Sequence, residues 1–362
     1  MAIAKIFVIA PDAYGIDKSI CRALELLGFQ VLLKNTRSRL NFLEAVSLRA
    51  VKRLPFTAAF FNPVLRHFLA LDNREYLRII SEFVPDLLLV IKGETVFPGT
   101  LEEVKEKYRI PCVAYIWDCP FYSYTGQFAD IYRANNFSRA MRLYEHIFVY
   151  DPYYVRKIKE RGINAVSYLP LAADPARYRK TEFSKEEKKL AYDICFVGSP
   201  FPNRRMVLDR LSGFNLGVFG DGWKKWYWFG LKRPPAYYRG RASGDKVAKI
   251  YSAAKVVLNI HDPETRDGLN TRTFEILSCG AFELVDFRPE LGKFFKIPEE
   301  IVCYKEIEEI GDLVRHYLAH PMQRQEIAEQ GMRKVINNHT WLLRMQEALS
   351  LLNEKGIFTA AQ

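Results

Sequence analysis

Residues 87–91 read L-L-L-V-I, an unbroken apolar run that follows Pro85 and Asp86. A strand with no polar position has no face for water, so it belongs inside a sheet covered on both sides. Further strand signals, some interrupted by polar residues, recur at 6–10, 29–34, 112–116, 146–150, 165–168, 192–198, 216–219, 255–260 and 282–286. Helical spacing fills the intervals at 19–27, 101–108, 153–161, 245–254, 307–318 and 322–337, and Gly28 supplies a natural stop for the first. This β-α-β rhythm predicts mainly parallel, doubly wound sheets. At 362 residues the chain exceeds one ordinary core and suits two domains. A polar, charged stretch interrupts the rhythm. The expected division is therefore an α/β domain over 1–172, a linker over 173–190, a second α/β domain over 191–340 and a final helix over 341–362.

Composition narrows the function classes. With 49% hydrophobic and 26% charged residues the chain is globular. Its apolar runs are too short to span a bilayer, and its first residues enter a strand without a signal-peptide pattern, so a cytoplasmic protein is expected. Cys21, Cys112, Cys119, Cys195, Cys279 and Cys303 form no C-x-x-C pair and are expected to be reduced, buried thiols. The six histidines show no ligand spacing, so no metal is expected.

A net charge of +11 calls for an anionic partner: nucleic acid, membrane or small substrate. The basic residues are dispersed over 37–53, 204–205 and 224–241, without a nucleic-acid-binding motif, so nucleic acid is not expected. Residues 42–69 and 223–238 interleave bulky apolar and basic side chains. Such mixtures suit either ordinary packing or peripheral contact with the anionic inner face of a membrane.

The chemistry concentrates in residues 240–282. A short helix leads into the strand at 255–260, then a loop of Asp, Pro, Glu, Thr, Arg and Gly, then a helix opening at Asn270 or Thr271. Open α/β sheets bind ligands at such strand exits. Free amides at the helix start, with Arg272, suit phosphate; Asp267 and Glu275 suit hydroxyls. A phosphorylated sugar is the implied ligand.

The string F-E-I-L-S-C-G, with Asp267 eight residues before Glu275, resembles the donor-binding part of GT-B glycosyltransferases of the family-4-like type. The string G-L-N-T-R-T-F-E is similar to that of the CgeB-like (spore maturation protein) family. The likeness is strongest over 190–345. It implies two Rossmann-like domains facing a central cleft, the last helix crossing back to the first domain, and a nucleotide-diphosphate sugar, foremost a UDP-sugar, as donor substrate with no cofactor or metal. By the same resemblance Glu275 holds the donor ribose, Asp267 the transferred sugar, and Gly268, Leu269, Asn270 and Thr271 turn amides toward the diphosphate. Asn270 doubles as an N-cap. Relatives carry an arginine just after V-G; Ser199 stands there, and Arg205 matches the second cation, with Arg204 or Arg272 as compensation. Tyr238 is placed to stack on the base and Arg241 to reach a phosphate.

The first domain is expected to carry the acceptor site. Its strand exits offer Tyr14-Gly15, Lys92-Gly93-Glu94 and Trp117-Asp118. Asp118, in W-D-C-P-F-Y, is the favoured base or substrate-orienting acid and Glu94 the second choice; as an ordinary residue Asp118 would cap the following turn. The implied reaction moves a sugar to a hydroxyl of a glycan, protein or lipid-linked acceptor. The rival readings are a sugar-nucleotide epimerase or a phosphorylase of the same fold, a binding or scaffold protein that kept this fold without turnover and, behind these, a basic nucleic-acid-binding protein.

Overall fold

The computed structural model describes residues 3–12, 15–36, 58–121, 135–182, 191–223 and 235–359. The chain divides into two compact units, Met1–Leu169 with Met345–Gln362, and Pro170–Arg344.

Among the described residues the first unit holds six parallel strands: β1 (Lys5–Pro11), β2 (Gln30–Thr36), β3 (Leu87–Ile91), β4 (Cys112–Ile116), β5 (His146–Val149) and β6 (Val166–Tyr168). Their order is β2-β1-β3-β4-β5-β6. Every residue of β3 and β4 is buried, as their unbroken apolar sequence requires. The order reverses between β1 and β3, which opens a crevice beyond their carboxyl ends. Gly15, with φ 79°, starts the helix Ile16–Leu26 there; Tyr14 lies outside the described residues.

Two helices differ from expectation. The stretch at 101–108 is a helix Pro98–Glu103 that widens into a π turn, Val104–Tyr108. An unexpected helix, Ala58–Phe83, contains Pro63. Residues 42–57 of the membrane-directed stretch lie outside the described residues, and 58–69 open this helix. Its Asn73 side chain donates to Leu69 O (2.8 Å) and Thr95 O (2.9 Å) and accepts from Phe97 N (2.9 Å) and Thr100 Oγ1 (2.8 Å). One buried amide thus fixes the turn after β3.

The described residues of the second unit also form six parallel strands: β7 (Ile194–Val197), β8 (Leu216–Phe219), β9 (Tyr238–Gly240), β10 (Val256–Asn259), β11 (Glu283–Asp286) and β12 (Val302–Tyr304), in the order β12-β11-β10-β7-β8-β9. Alternation along β7 shows the double winding. Ile194 and Phe196 pack with Leu208, Val314 and Ile327 of helices Pro202–Arg210, Ile310–Ala319 and Pro321–Asn338. Cys195 and Val197 face the other way, onto Ile250 and Ile276 of helices Asp245–Ala253 and Thr271–Ser278. The switch point lies between β7 and β10.

Part of the stretch read as a linker is core of the second unit. Tyr178 is buried in the layer with Ile276, Ala173 N donates to His339 O (3.0 Å), and Thr181 N donates to Ser252 Oγ (3.2 Å). A single aromatic anchor outweighs the polar neighbours that made 173–182 look solvated. The final helix, Trp341–Glu354, starts in the second unit, and its residues from Met345 are counted with the first. There Met345, Ala348 and Leu352 line a small apolar cavity with Ile6, Leu87 and Leu89. None of the six cysteines is in a disulfide, and four of them are buried. Among the described residues no helix is long and apolar enough to cross a membrane.

At the switch point the exits of β7 and β8 touch. A Cβ on Gly220, whose φ is 143°, would stand 2.2 Å from Gly198 O. The buried Trp223 donates Nε1–H to that same carbonyl (2.7 Å). Gly220→Ala is therefore expected to destabilise the full-length chain by about 2 kcal/mol or more, because backbone must move on backbone. Urea unfolding of both proteins measures it; equal stability would mean that the two loops separate readily.

Candidate functional site

The helix Thr271–Ser278 begins where the sequence placed it, and Asn270 is its N-cap, accepting from Thr273 N (3.2 Å). A buried partner holds this cap. Asn259, the last residue of β10, donates Nδ2–H to Asn270 Oδ1 (3.1 Å), Thr273 Oγ1 (3.0 Å) and Glu283 Oε1 (2.8 Å), and its own Oδ1 accepts from Asn270 Nδ2 (2.9 Å). Both ends of the loop 260–269 are thereby tied together. Burial drives the Glu283 carboxyl well above its ordinary range, against the opposing pull of its hydrogen bond from Asn259. Asn259 is a polar residue at the end of the apolar run V-V-L-N; that mismatch was the signal available in sequence.

A second tie follows at once. His261, fully buried, has both its amide (2.9 Å) and its ring Nδ1 (2.7 Å) against Asp286 Oδ1, and Arg288 Nη2 meets Asp286 Oδ2 at 2.7 Å. Burial alone would raise the Asp286 pKa; His261 and Arg288 outweigh it and hold the carboxyl below its usual range. Asn203 donates to His261 O (2.9 Å).

The arginines divide by role. Arg204 is 2% exposed; Nε donates to Ile260 O (2.9 Å) and Nη1 to Ser199 O (3.0 Å), with Asp262 at 3.9 Å. It joins the exits of β7 and β10 as a strut, so burial and carbonyl bonds occupy the guanidinium expected to compensate at the phosphate. Arg205 is partly exposed and bonds Asp209 through Nε (3.0 Å). Arg272 is half-buried, with Nη2 3.5 Å from where a Cβ on Gly198 would stand. A cation from the β10 side therefore lies against the exit of β7, beside first-turn amides that lack helical acceptors. Ser199 is half-buried in that exit.

Gly268, Leu269 and Asn270 are buried, Thr271 is half-buried, and Asp267 is half-buried with its carbonyl accepting from Glu290 N (3.1 Å). The Tyr238 hydroxyl donates to Gly220 O (3.2 Å), and the exposed Arg241 pairs with Asp221. Burial first, then Asp221, raise the Tyr238 pKa. Both converge on the exit of β8. Glu275 is 8% exposed. Burial pushes its carboxyl up to about 7, against the opposing pull of Arg272, a hydrogen bond from Tyr178, and Arg177.

In the first unit, Glu94 is half-buried and its carbonyl accepts from Asn136 Nδ2 (2.9 Å). Asp118 forms an ion pair with Lys92, whose backbone is left-handed at φ 67°. That conformation costs a lysine about 1–2 kcal/mol.

Two Rossmann-like units, the second with an arginine and a capped helix N-terminus at its switch point, are the α/β two-domain fold of GT-B glycosyltransferases. Residues 204–350 match the family described as "Glycosyl transferase-like". The chain is 24% identical over 282 residues to the spore protein CgeB of Bacillus subtilis (strain 168), covering 74% of this chain and 83% of that protein. The resemblance read from the motifs is thus found independently. Among solved structures, sucrose-phosphate synthase from Thermosynechococcus elongatus superposes with a TM-score of 0.65 at 11% identity, covering 97% of this chain and 100% of its own. HepE from Anabaena, in complex with UDP-glucose, gives 0.63 at 11% identity, covering 97% and 99%.

Two measurements probe the site. Asn259→Ala leaves Glu283 Oε1 without its donor and Asn270 Nδ2 without its acceptor, and should cost about 2–4 kcal/mol in urea unfolding; a loss below 1 kcal/mol would show the tie to be dispensable. For Glu275 the folded pKa, about 7, exceeds the ordinary 4.5, so the native state holds the extra proton between them. Stability from this group is complete below pH 4.5 and is lost as pH rises to 7. Glu275→Gln lacks that slope. Its stability relative to the parent should therefore grow by roughly 2–3 kcal/mol from pH 4.5 to 8. Parallel curves for the two proteins would place the carboxyl in solvent.

Proposed function

We propose that this chain is a metal-independent glycosyltransferase that takes a nucleotide-diphosphate sugar, foremost a UDP-sugar, and transfers the sugar to a hydroxyl of a glycan, protein or lipid-linked acceptor. The observation that carries the reading is Arg272 beside Gly198, on a helix start pinned by Asn259 and Asn270. Such a fixed cation and its amides are ready for the charge that develops on a departing diphosphate. Arg205 adds a second cation near the exit of β7. Glu275 takes the ribose hydroxyls, Asp267 the transferred sugar, and Tyr238 with Arg241 the nucleotide side. In the first unit Asp118, with Glu94 in reserve, orients or deprotonates the acceptor hydroxyl. HepE, of the same fold, was crystallised with UDP-glucose, which supports a UDP-sugar here.

A second reading has one observation in its favour. Ser199 stands where similar enzymes carry an arginine, so a protein that binds nucleotide sugar without turnover shares the same pocket.

A thermal-shift panel of UDP-, GDP-, dTDP- and CMP-sugars without added metal tests the donor. A rise with the UDP compounds is expected, lost in Arg272→Ala and in Glu275→Ala. Affinity should strengthen as pH rises through about 7, because the ionised Glu275 accepts from both ribose hydroxyls. No shift with any nucleotide, in folded protein, would discard the reading. Binding without release of UDP in any acceptor mixture would select the non-catalytic one.

A further inference from the structure

We infer that Lys92 is a positioning residue for Asp118, fixing that carboxylate for the acceptor; the inference rests on the glycosyltransferase reading above. Three features of the first unit carry it.

The backbone comes first. Val84, Lys92 and Arg109 are the non-glycine residues with positive φ among those described. Val84 follows the helix Ala58–Phe83, and Arg109 caps the π turn Val104–Tyr108, both at helix ends where a left-handed residue is ordinary. Lys92 instead ends a strand, at the crevice beside the switch point. Glycine would take this conformation without strain, so a lysine there points to a use for its side chain.

Its surroundings leave it no alternative path. Lys92 N donates to Tyr115 O in β4 (3.0 Å). Gly93 follows at φ 70°, and a Cβ there would stand 2.9 Å from Phe137 Cδ2 and 3.1 Å from the Tyr144 hydroxyl. The ammonium therefore leaves the chain from a fixed point.

It then reaches one carboxylate. The Lys92 Nζ pairs with Asp118 Oδ2 and lies 6.0 Å from the Trp117 ring centroid. The Lys92 side chain is 21% exposed and that of Asp118 46%. An apolar ring behind the pair strengthens it, while the carboxylate keeps contact with solvent. A carboxylate has two acceptor oxygens, and this ion pair uses Oδ2. Asp118 thus presents a set orientation to an incoming hydroxyl, and Lys92 acts through it.

Full-length protein and the variants Lys92→Met, Lys92→Arg, Asp118→Asn and Lys92→Met/Asp118→Asn are compared by UDP release. The donor probes are UDP-glucose and UDP-N-acetylglucosamine, with water and with methyl glucosides as acceptors. Lys92→Met should lower kcat by about tenfold or more while leaving the KM for donor and the UDP-induced melting shift unchanged. Lys92→Arg should stay within about threefold of the parent, since it restores the cation. The double variant should be no slower than Asp118→Asn, as expected for residues acting as one unit. A parent-like Lys92→Met, or losses that multiply in the double variant, would overturn the inference. So would a parent that binds UDP yet releases none, which leaves the donor site standing. A parent with no UDP-induced shift would instead bring down the functional reading itself, and this inference with it.

Discussion

The second unit depends on one buried side chain. Asn259 ends β10 and reaches the cap of the next helix, so the strand and the helix cannot move independently. Everything the loop offers, including the amides of 268–271, the carboxylate of Asp267 and the guanidinium of Arg272, hangs between those two fixed points. Glu283 completes the network at 0% exposure, where burial drives its carboxyl well above its ordinary range. A buried polar network of this kind costs much if half-made and confers a single geometry when complete.

The exits of β7 and β8 are shaped by a different constraint, the absence of side chains. Gly198 and Gly220 bring two backbones into contact, and Trp223 and Arg204 take up the carbonyls of that region. Arg204 shows how burial changes a residue's meaning. In sequence it is half of a basic pair; in the fold it is a strut inside an aromatic sandwich, 4.8 Å from the Phe201 ring centroid and 5.6 Å from that of Phe196.

What the sequence disclosed follows from periodicity and local chemistry. Runs such as L-L-L-V-I and the Asn270 cap are local, so the sheets and the start of the helix Thr271–Ser278 could be placed closely. The strands β9 and β12 are three residues each, too short to show a period. The helix Ala58–Phe83 carries bulky apolar side chains and Pro63, which hid its spacing. The side chains of Asn259, His261 and Lys92 reach partners 11 to 26 residues away that come from other elements. No local pattern announces such pairs. Glu275 was placed on the right helix, but its hydrogen-bond partner Tyr178 lies almost a hundred residues earlier, and only the fold brings the two together.

The membership of the last helix bears on how the protein is made. The first unit holds the amino terminus, yet Met345–Gln362 belong to it as well. Met345, Ala348 and Leu352 line a cavity with Ile6, Leu87 and Leu89. On the ribosome, those early apolar side chains emerge more than two hundred and fifty residues before the helix that covers them. The first unit must wait, partly uncovered, through the synthesis of the entire second unit. A chain cut short before Met345 would leave an apolar face uncovered on the part that was made first.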